Sequence, residues 1–140
     1  MLNSYYTEKL LGMQEVEVKN IREKAEVFEI SIEQARKTCT CPRCGKGTNR
    51  IHDYRYQRIK ELPAFEKKVV LILRKRRYVC SCGKRFAEPN TFLARYQRMT
   101  KRAIMGLLEK LSDSRSYTSV AREFNISTST VIRFFKNIQY

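Results

Sequence analysis

Residues 116–138 read SYTSVAREFNISTSTVIRFFKNI, and their apolar positions form two helical stripes separated by a short polar break. Tyr117, Val120, Ala121 and Phe124 are spaced i, i+3, i+4, i+7, and Val131, Phe134, Phe135 and Ile138 repeat that spacing. Asn125 between them tolerates the left-handed backbone of a helix stop, Ile126 covers the turn, and Ser127 is placed to cap the second helix. Small Ala121 stands where the two helices would cross. A break of three or four residues between helices so patterned predicts a helix-turn-helix.

The second helix leaves one face unused by the core. Ser129, Ile132, Arg133 and Lys136 again follow i, i+3, i+4, i+7, with Ser127 and Thr128 at the same end. Arg133 can donate to guanine O6 and N7, the hydroxyls can meet bases or phosphates, and Ile132 can pack on a thymine methyl. Ser127, Thr128, Ser129, Ile132, Arg133 and Lys136 are therefore the expected DNA contacts. The competing reading is a three-helix bundle whose polar face is merely solvated or docks a protein.

Upstream, Ile104, Leu107, Leu108 and Leu111 mark a further amphipathic helix that begins after a Thr100 cap and carries Lys101, Arg102, Glu109 and Lys110 on its other face. Ala87-Glu88-Pro89-Asn90 reads as a turn or linker. The three helices are expected to form one domain over residues 89–140.

Before them lie two cysteine clusters, Cys41-Pro42-Arg43-Cys44-Gly45 and Cys80-Ser81-Cys82-Gly83, with 35 residues between Cys44 and Cys80. Two thiolates three apart can reach one ion because the intervening turn points its amides at the sulfurs, and Gly45 permits the backbone that this requires. Four sulfurs complete a closed tetrahedral zinc site, so Cys41, Cys44, Cys80 and Cys82 are the expected ligands of a structural Zn2+. A catalytic zinc would need an open coordination position and a nearby base, and four thiolates provide neither. Cys39 could substitute as a ligand or stay a free thiol, and His52 offers a nitrogen.

Between the clusters, a basic Tyr-containing run from Arg50 to Ile59, a break at Leu62-Pro63, and the β-branched run Val69–Leu73 suit two or three strands. Residues 37–88 are thus expected to be a small β-rich, zinc-ribbon-like domain. Residues 1–36 read as an arm or short helix (Ser4 to Leu11), then Val16 and Val18, then a strand from Val27 to Ile32 that packs on it. The fold class is α+β.

The 140 residues carry a formal charge of +15, unevenly placed. Residues 1–36 hold five Lys/Arg against seven Asp/Glu, whereas the chain from Lys37 onward holds 24 against seven. Such an excess is the footprint of a protein that neutralises phosphates, which makes double-stranded DNA the expected partner. No apolar run approaches the roughly 20 residues of a membrane span, and the opening MLNSYYTEKLLGMQEVEVKN has no signal-peptide pattern. A cytoplasmic, nucleoid-associated protein is expected, with no membrane partner. In a reducing compartment, five clustered cysteines point to metal over disulfides.

The segments CPRCG, Ile51-His52-Asp53-Tyr54-Arg55, RRYVCSCGKRF (76–86) and SYTSVAREFNISTSTVIR (116–133), in this order, resemble the N-terminal region of bacterial ISL-three-type insertion-sequence transposases. The resemblance covers nearly the whole chain. It implies a zinc finger and a helix-turn-helix that engage an element's terminal inverted repeats, with zinc on Cys41, Cys44, Cys80 and Cys82 and DNA against the helix from Ser127 to Lys136. In that family a much larger ribonuclease-H-like domain with an acidic triad follows. The chain stops at Tyr140, and the seven acids after Lys37 are scattered through the zinc and helical segments, so no catalysis of its own is expected.

The expected function is sequence-specific binding of double-stranded DNA by a truncated transposase recognition region. A second copy or a full-length transposase are further candidate partners. Two other readings stand beside it. One is the non-catalytic part of a split or longer active transposase. The other is a zinc ribbon for RNA or protein, which Tyr54-Arg55-Tyr56-Gln57-Arg58 supports through stacking.

Overall fold

The computed structural model describes residues 16–64, 66–93, 98–113 and 115–138; the expected arm or helix from Ser4 to Leu11 lies outside them. Strands come first: β1 (Val16–Glu23), β2 (Val27–Gln34), the short pair β3 (Cys39–Thr40) and β4 (Gly47–Thr48), the long β5 (Ile51–Ala64) and β6 (Lys67–Val79), and β7 (Arg85–Ala87). Three helices follow: α1 (Lys101–Ser112), α2 (Tyr117–Phe124) and α3 (Thr128–Ile138). The expected order, a β-rich zinc-ribbon region and then a three-helix region, is the observed one.

One sheet runs in the order β1-β2-β6-β5, with β7 also paired to β6, and β3 and β4 form a separate antiparallel pair. The break expected at Leu62-Pro63 is absent, because β5 continues through both residues to Ala64. Its position explains this: β5 is an edge strand, where a proline lacking an N–H can sit without costing the sheet a ladder bond.

The chain forms two compact units. One gathers the described residues up to Arg22, Glu29–Arg58 and Leu71–Thr91; the other gathers Glu23–Phe28, Ile59–Val70 and the chain from Phe92 on. Strands β5 and β6 contribute to both.

In the first unit Ile30, Ile32, Leu71, Leu73 and Tyr78 are buried, and the Tyr78 ring stacks on Phe86 with centroids 5.9 Å apart. Charge is buried here too. The Arg76 guanidinium reaches the Gln34 carbonyl (2.6 Å), Glu88 (3.3 Å) and Glu33 (3.1 Å), and the Glu88 carboxylate also accepts from the Arg76 amide (3.1 Å). Burial works against the charge on Arg76, but Glu88 and Glu33 outweigh it and hold the guanidinium pKa above its usual value. Glu88, in the segment read as a turn or linker, is only 4% exposed.

The second unit is centred on the helices. Met99, Ala103, Leu107, Val120, Ala121, Phe124, Val131 and Phe134 form its core, with Leu62, Ile104, Leu108, Leu111 and Ile126 packed against it. Ala103, outside the expected stripe of α1, is fully buried. Tyr117 departs from the expected stripe of α2: it is 39% exposed and meets Phe135 edge-on. A helix of eight residues has little more than two turns, and its first residue lies beyond the crossing.

Leu62 of β5 reaches α1 at Gly106, where an added methyl would overlap the Leu62 Cδ2. A mid-helix glycine costs about 1 kcal/mol of helix propensity, and here it opens the space that Leu62 fills.

Candidate metal centre and nucleic-acid interface

Each cysteine cluster is the tip of a hairpin, β3–β4 for the first and β6–β7 for the second. In the first, the Cys41 amide donates to the Lys46 carbonyl (2.8 Å) and the Gly45 amide to the Cys41 carbonyl (3.0 Å). In the second, the Cys80 amide donates to the Lys84 carbonyl (2.9 Å) and the Gly83 amide to the Cys80 carbonyl (2.9 Å). Gly45 and Gly83 take φ of +76° and +89°, a backbone that side-chain-bearing residues rarely adopt. The tighter C-x-C spacing therefore closes with the same pair of backbone bonds as C-x-x-C.

The two tips bring Cys41, Cys44, Cys80 and Cys82 together, with all four sulfurs within 4.8 Å of one another. The Cys41–Cys82 and Cys44–Cys80 sulfurs lie 3.7 and 3.4 Å apart. A zinc–sulfur bond of about 2.3 Å gives tetrahedral edges of about 3.8 Å, so this donor set fits zinc.

Electrostatics argue the same way. The Cys82 amide, with the neighbouring Cys44 thiol, draws Cys80 down to about 6, and the Cys44 amide lowers Cys41. At Cys44 the Lys46 amide pulls down, but the Cys80 thiol, burial, and the Cys41 and Cys82 thiols together push it up to about 11. Four adjacent thiols resist ionising together, and a divalent cation lifts that restriction.

Cys39 and His52 stand outside the group of four. The buried Cys39 thiol instead faces the Lys37 carbonyl (3.8 Å), which also accepts from the Tyr78 hydroxyl (3.1 Å).

The helix ends follow their local chemistry. Thr100 and Ser116 cap α1 and α2 by accepting from the Ala103 and Ser119 amides, and Ser127 accepts from the Thr130 amide (3.2 Å) at the start of α3. Asn125 takes the left-handed conformation, φ 55° and ψ 49°, and its amide returns to the end of α2. Sequence reasoning missed the support from β5. The Lys60 ammonium donates to the Asn125 carbonyl (2.6 Å), placing a cation at the C-terminal end of α2. Glu61, buried, accepts from the Thr100 hydroxyl (2.8 Å) and the Leu62 amide (2.7 Å). An acid embedded in an otherwise strand-like stretch was the available signal.

Burial raises the Glu61 pKa, against the Leu62 amide and the Thr100 hydroxyl. With the folded value above the unfolded one, its contribution to stability is complete below the unfolded pKa and is lost as pH rises through the folded one. Glu61→Gln keeps the acceptor oxygen without the charge. It is expected to raise the melting temperature of the helical unit at pH 7 and to flatten its dependence on pH above about 4.3, as thermal denaturation followed across pH would register.

Of the outward residues on the α3 side, Ser127, Ser129, Arg133 and Lys136 are exposed, and Thr128 and Ile132 are half-buried. The Ser127 hydroxyl is already engaged, 2.7 Å from Thr130 Oγ1 and 3.1 Å from Ser129 Oγ. Arg133 packs its guanidinium over the Phe134 ring at 5.9 Å.

Paired cysteine turns and a capped helix-turn-helix in one chain define a zinc-ribbon DNA-binding protein. Residues 37–82 match the zinc-finger of transposase IS204/IS1001/IS1096/IS1165, and residues 88–139 match the helix-turn-helix domain of transposase family ISL3. The chain belongs to this transposase family and is a DNA-binding region of it. It is similar to a transposase for insertion sequence element IS1001 from Bordetella parapertussis, 31% identical over 135 residues. That match takes in 94% of this chain and 33% of the relative, so the chain spans about a third of the curated relative's length. No solved structure matches it. Among the described residues, no helix is long and apolar enough to cross a membrane.

Proposed function

We propose that the chain recognises the terminal inverted repeats of an insertion sequence as duplex DNA, with α3 in the major groove, and that it acts at the nucleoid. The carrying observation is the outward row on α3, Ser129, Ile132, Arg133 and Lys136, on a helix-turn-helix whose Asn125 turn and Ser127 helix start are both made. Arg133 is assigned to a guanine edge, Ile132 to a thymine methyl, and Lys136 to phosphate. Thr128 and Ser129 supply hydroxyls at the helix start, and Ser127 acts mainly by fixing that start. Cys41, Cys44, Cys80 and Cys82 hold the metal as a structural element, and the cysteine and helical segments, 37–88 and 89–140, are the two functional parts.

The chain's match to one third of a protein named as a transposase supports a second reading, in which this region directs a longer enzyme, or a partner chain, to the element's ends.

Selection from a randomised duplex pool tests the recognition helix. The wild-type chain is expected to enrich one motif, and Arg133→Ala to lose preference at one guanine position, by roughly 5- to 150-fold. An identical motif from the variant would remove Arg133 from base reading.

A further inference from the structure

Both cysteine turns are basic. The first carries Arg43 and Lys46, the second Lys84 and Arg85, and neither residues 39–48 nor residues 79–87 include an Asp or Glu. Arg43, Lys46 and Arg85 are exposed and Lys84 is half-exposed. Their backbones are part of the turns: Arg43 lies between two of the converging cysteines and donates its amide to the Cys41 sulfur (3.4 Å), and the Lys46 and Lys84 carbonyls close the two tips. The four cations are thus carried on a scaffold that the sulfurs draw together.

Their lack of acidic partners, which Arg36 and Arg50 share, contrasts with four other arginines of the same unit. Arg58 reaches Glu29 (3.8 Å), Arg74 reaches Glu33 (3.8 Å), and Arg55 and Arg77 share Asp53 (3.7 and 3.1 Å). No ion pair is formed by Arg43, Lys46, Lys84 or Arg85 among the described residues. Offsetting a four-thiolate zinc centre does not account for them all, since that centre carries a net charge of only about −2. The surplus suits an external polyanion.

We infer that the paired cysteine turns form a second DNA contact, independent of sequence, in which Arg43, Lys46, Lys84 and Arg85 seat the phosphate backbone of a duplex. This rests on the reading of the chain as a DNA-binding protein, and it gives the unit without α3 a task of its own. Contacts to phosphate position a protein on DNA, whereas contacts to base edges specify the sequence. The two units would then divide these roles.

The test uses the full zinc-loaded chain and the variant Arg43→Gln/Lys46→Gln/Lys84→Gln/Arg85→Gln, with the two pairwise variants beside it. Affinity for a selected duplex and for a scrambled one is measured from about 50 to 200 mM salt, with zinc content determined on the same samples. The quadruple variant is expected to retain its zinc and to bind both duplexes at least tenfold more weakly at the lowest salt. Its slope of log K against log salt should be shallower by about two to four, each pair accounting for roughly half, with the ratio between duplexes unchanged. An unchanged slope would overturn the inference, and loss of zinc with that slope intact would reassign the cations to the metal centre. Preserved DNA binding with loss of binding to phosphatidylserine vesicles would overturn it in favour of a membrane. A wild-type chain with a steep salt slope but no preference between duplexes would sink the recognition reading and leave this one standing.

Discussion

Stripping the metal is expected to unfold the cysteine-bearing unit. Strands β3 and β4 have two residues each and β7 has three, too little to hold two hairpin tips together by ladder bonds alone. What joins the tips is the convergence of four sulfurs, and a single ion bonded to all four would hold them there. Structural zinc contributes roughly 10–16 kcal/mol to small sites of this kind, as large as the whole net stability of an ordinary domain. A strong chelator should therefore reduce the strand signal in circular dichroism, and one equivalent of zinc should restore it. Cys80→Ser is expected to behave like the chelated protein at micromolar zinc, whereas Cys39→Ala, which alters a thiol outside the group, should keep one zinc per chain. Strand signal and melting temperature unchanged in excess chelator would refute this account of the unit.

Arg76→Ala is the substitution expected to damage the same unit most without touching a sulfur. It leaves Glu88, 4% exposed, without the cation that offsets its burial, leaves Glu33, 9% exposed, with only the more distant Arg74 at 3.8 Å, and frees the Gln34 carbonyl. Breaking a buried ion pair on one side costs about 3–5 kcal/mol, which corresponds to a fall in melting temperature of roughly 10 °C or more. The origin of the loss can be read from a rescue. Arg76→Met combined with Glu33→Gln and Glu88→Gln removes the stranded charges together with their partner, so it should recover most of the stability. A triple variant no better than Arg76→Ala would assign the loss to packing.

Local chemistry made much of this molecule readable in advance. Thr100, Ser116, Asn125 and Ser127 act through bonds to residues at most four away, so their roles are written in their immediate neighbours. Spacing likewise singled out the four cysteines, because a turn tip has few ways to present two sulfurs. Long-range partners leave no such trace. Glu33, Arg76 and Glu88 are far apart in the chain and each resembles an ordinary solvated charge, yet folding buries them as one network. Pro63 reads as a break unless the edge position of β5 is known. Lys60, Glu61 and Leu62 belong to a strand, and no periodicity could announce that they support Asn125, Thr100 and Gly106.

That support bears on where a DNA-binding fragment can be cut. The helical unit includes Ile59–Val70, and the β5 residues in that stretch brace the cap of α1 and the turn before α3. The match to the helix-turn-helix family model begins only at residue 88.

A chain that reads a DNA sequence through α3, as proposed, must bind duplexes according to their sequence. Fluorescence anisotropy with the zinc-loaded chain, on terminal-repeat duplexes and on scrambled duplexes of the same composition at physiological salt, tests it most directly. Tighter binding to the repeat by at least a hundredfold, with Arg133→Ala losing most of that margin, is the predicted result; equal affinity for the two duplexes would contradict it.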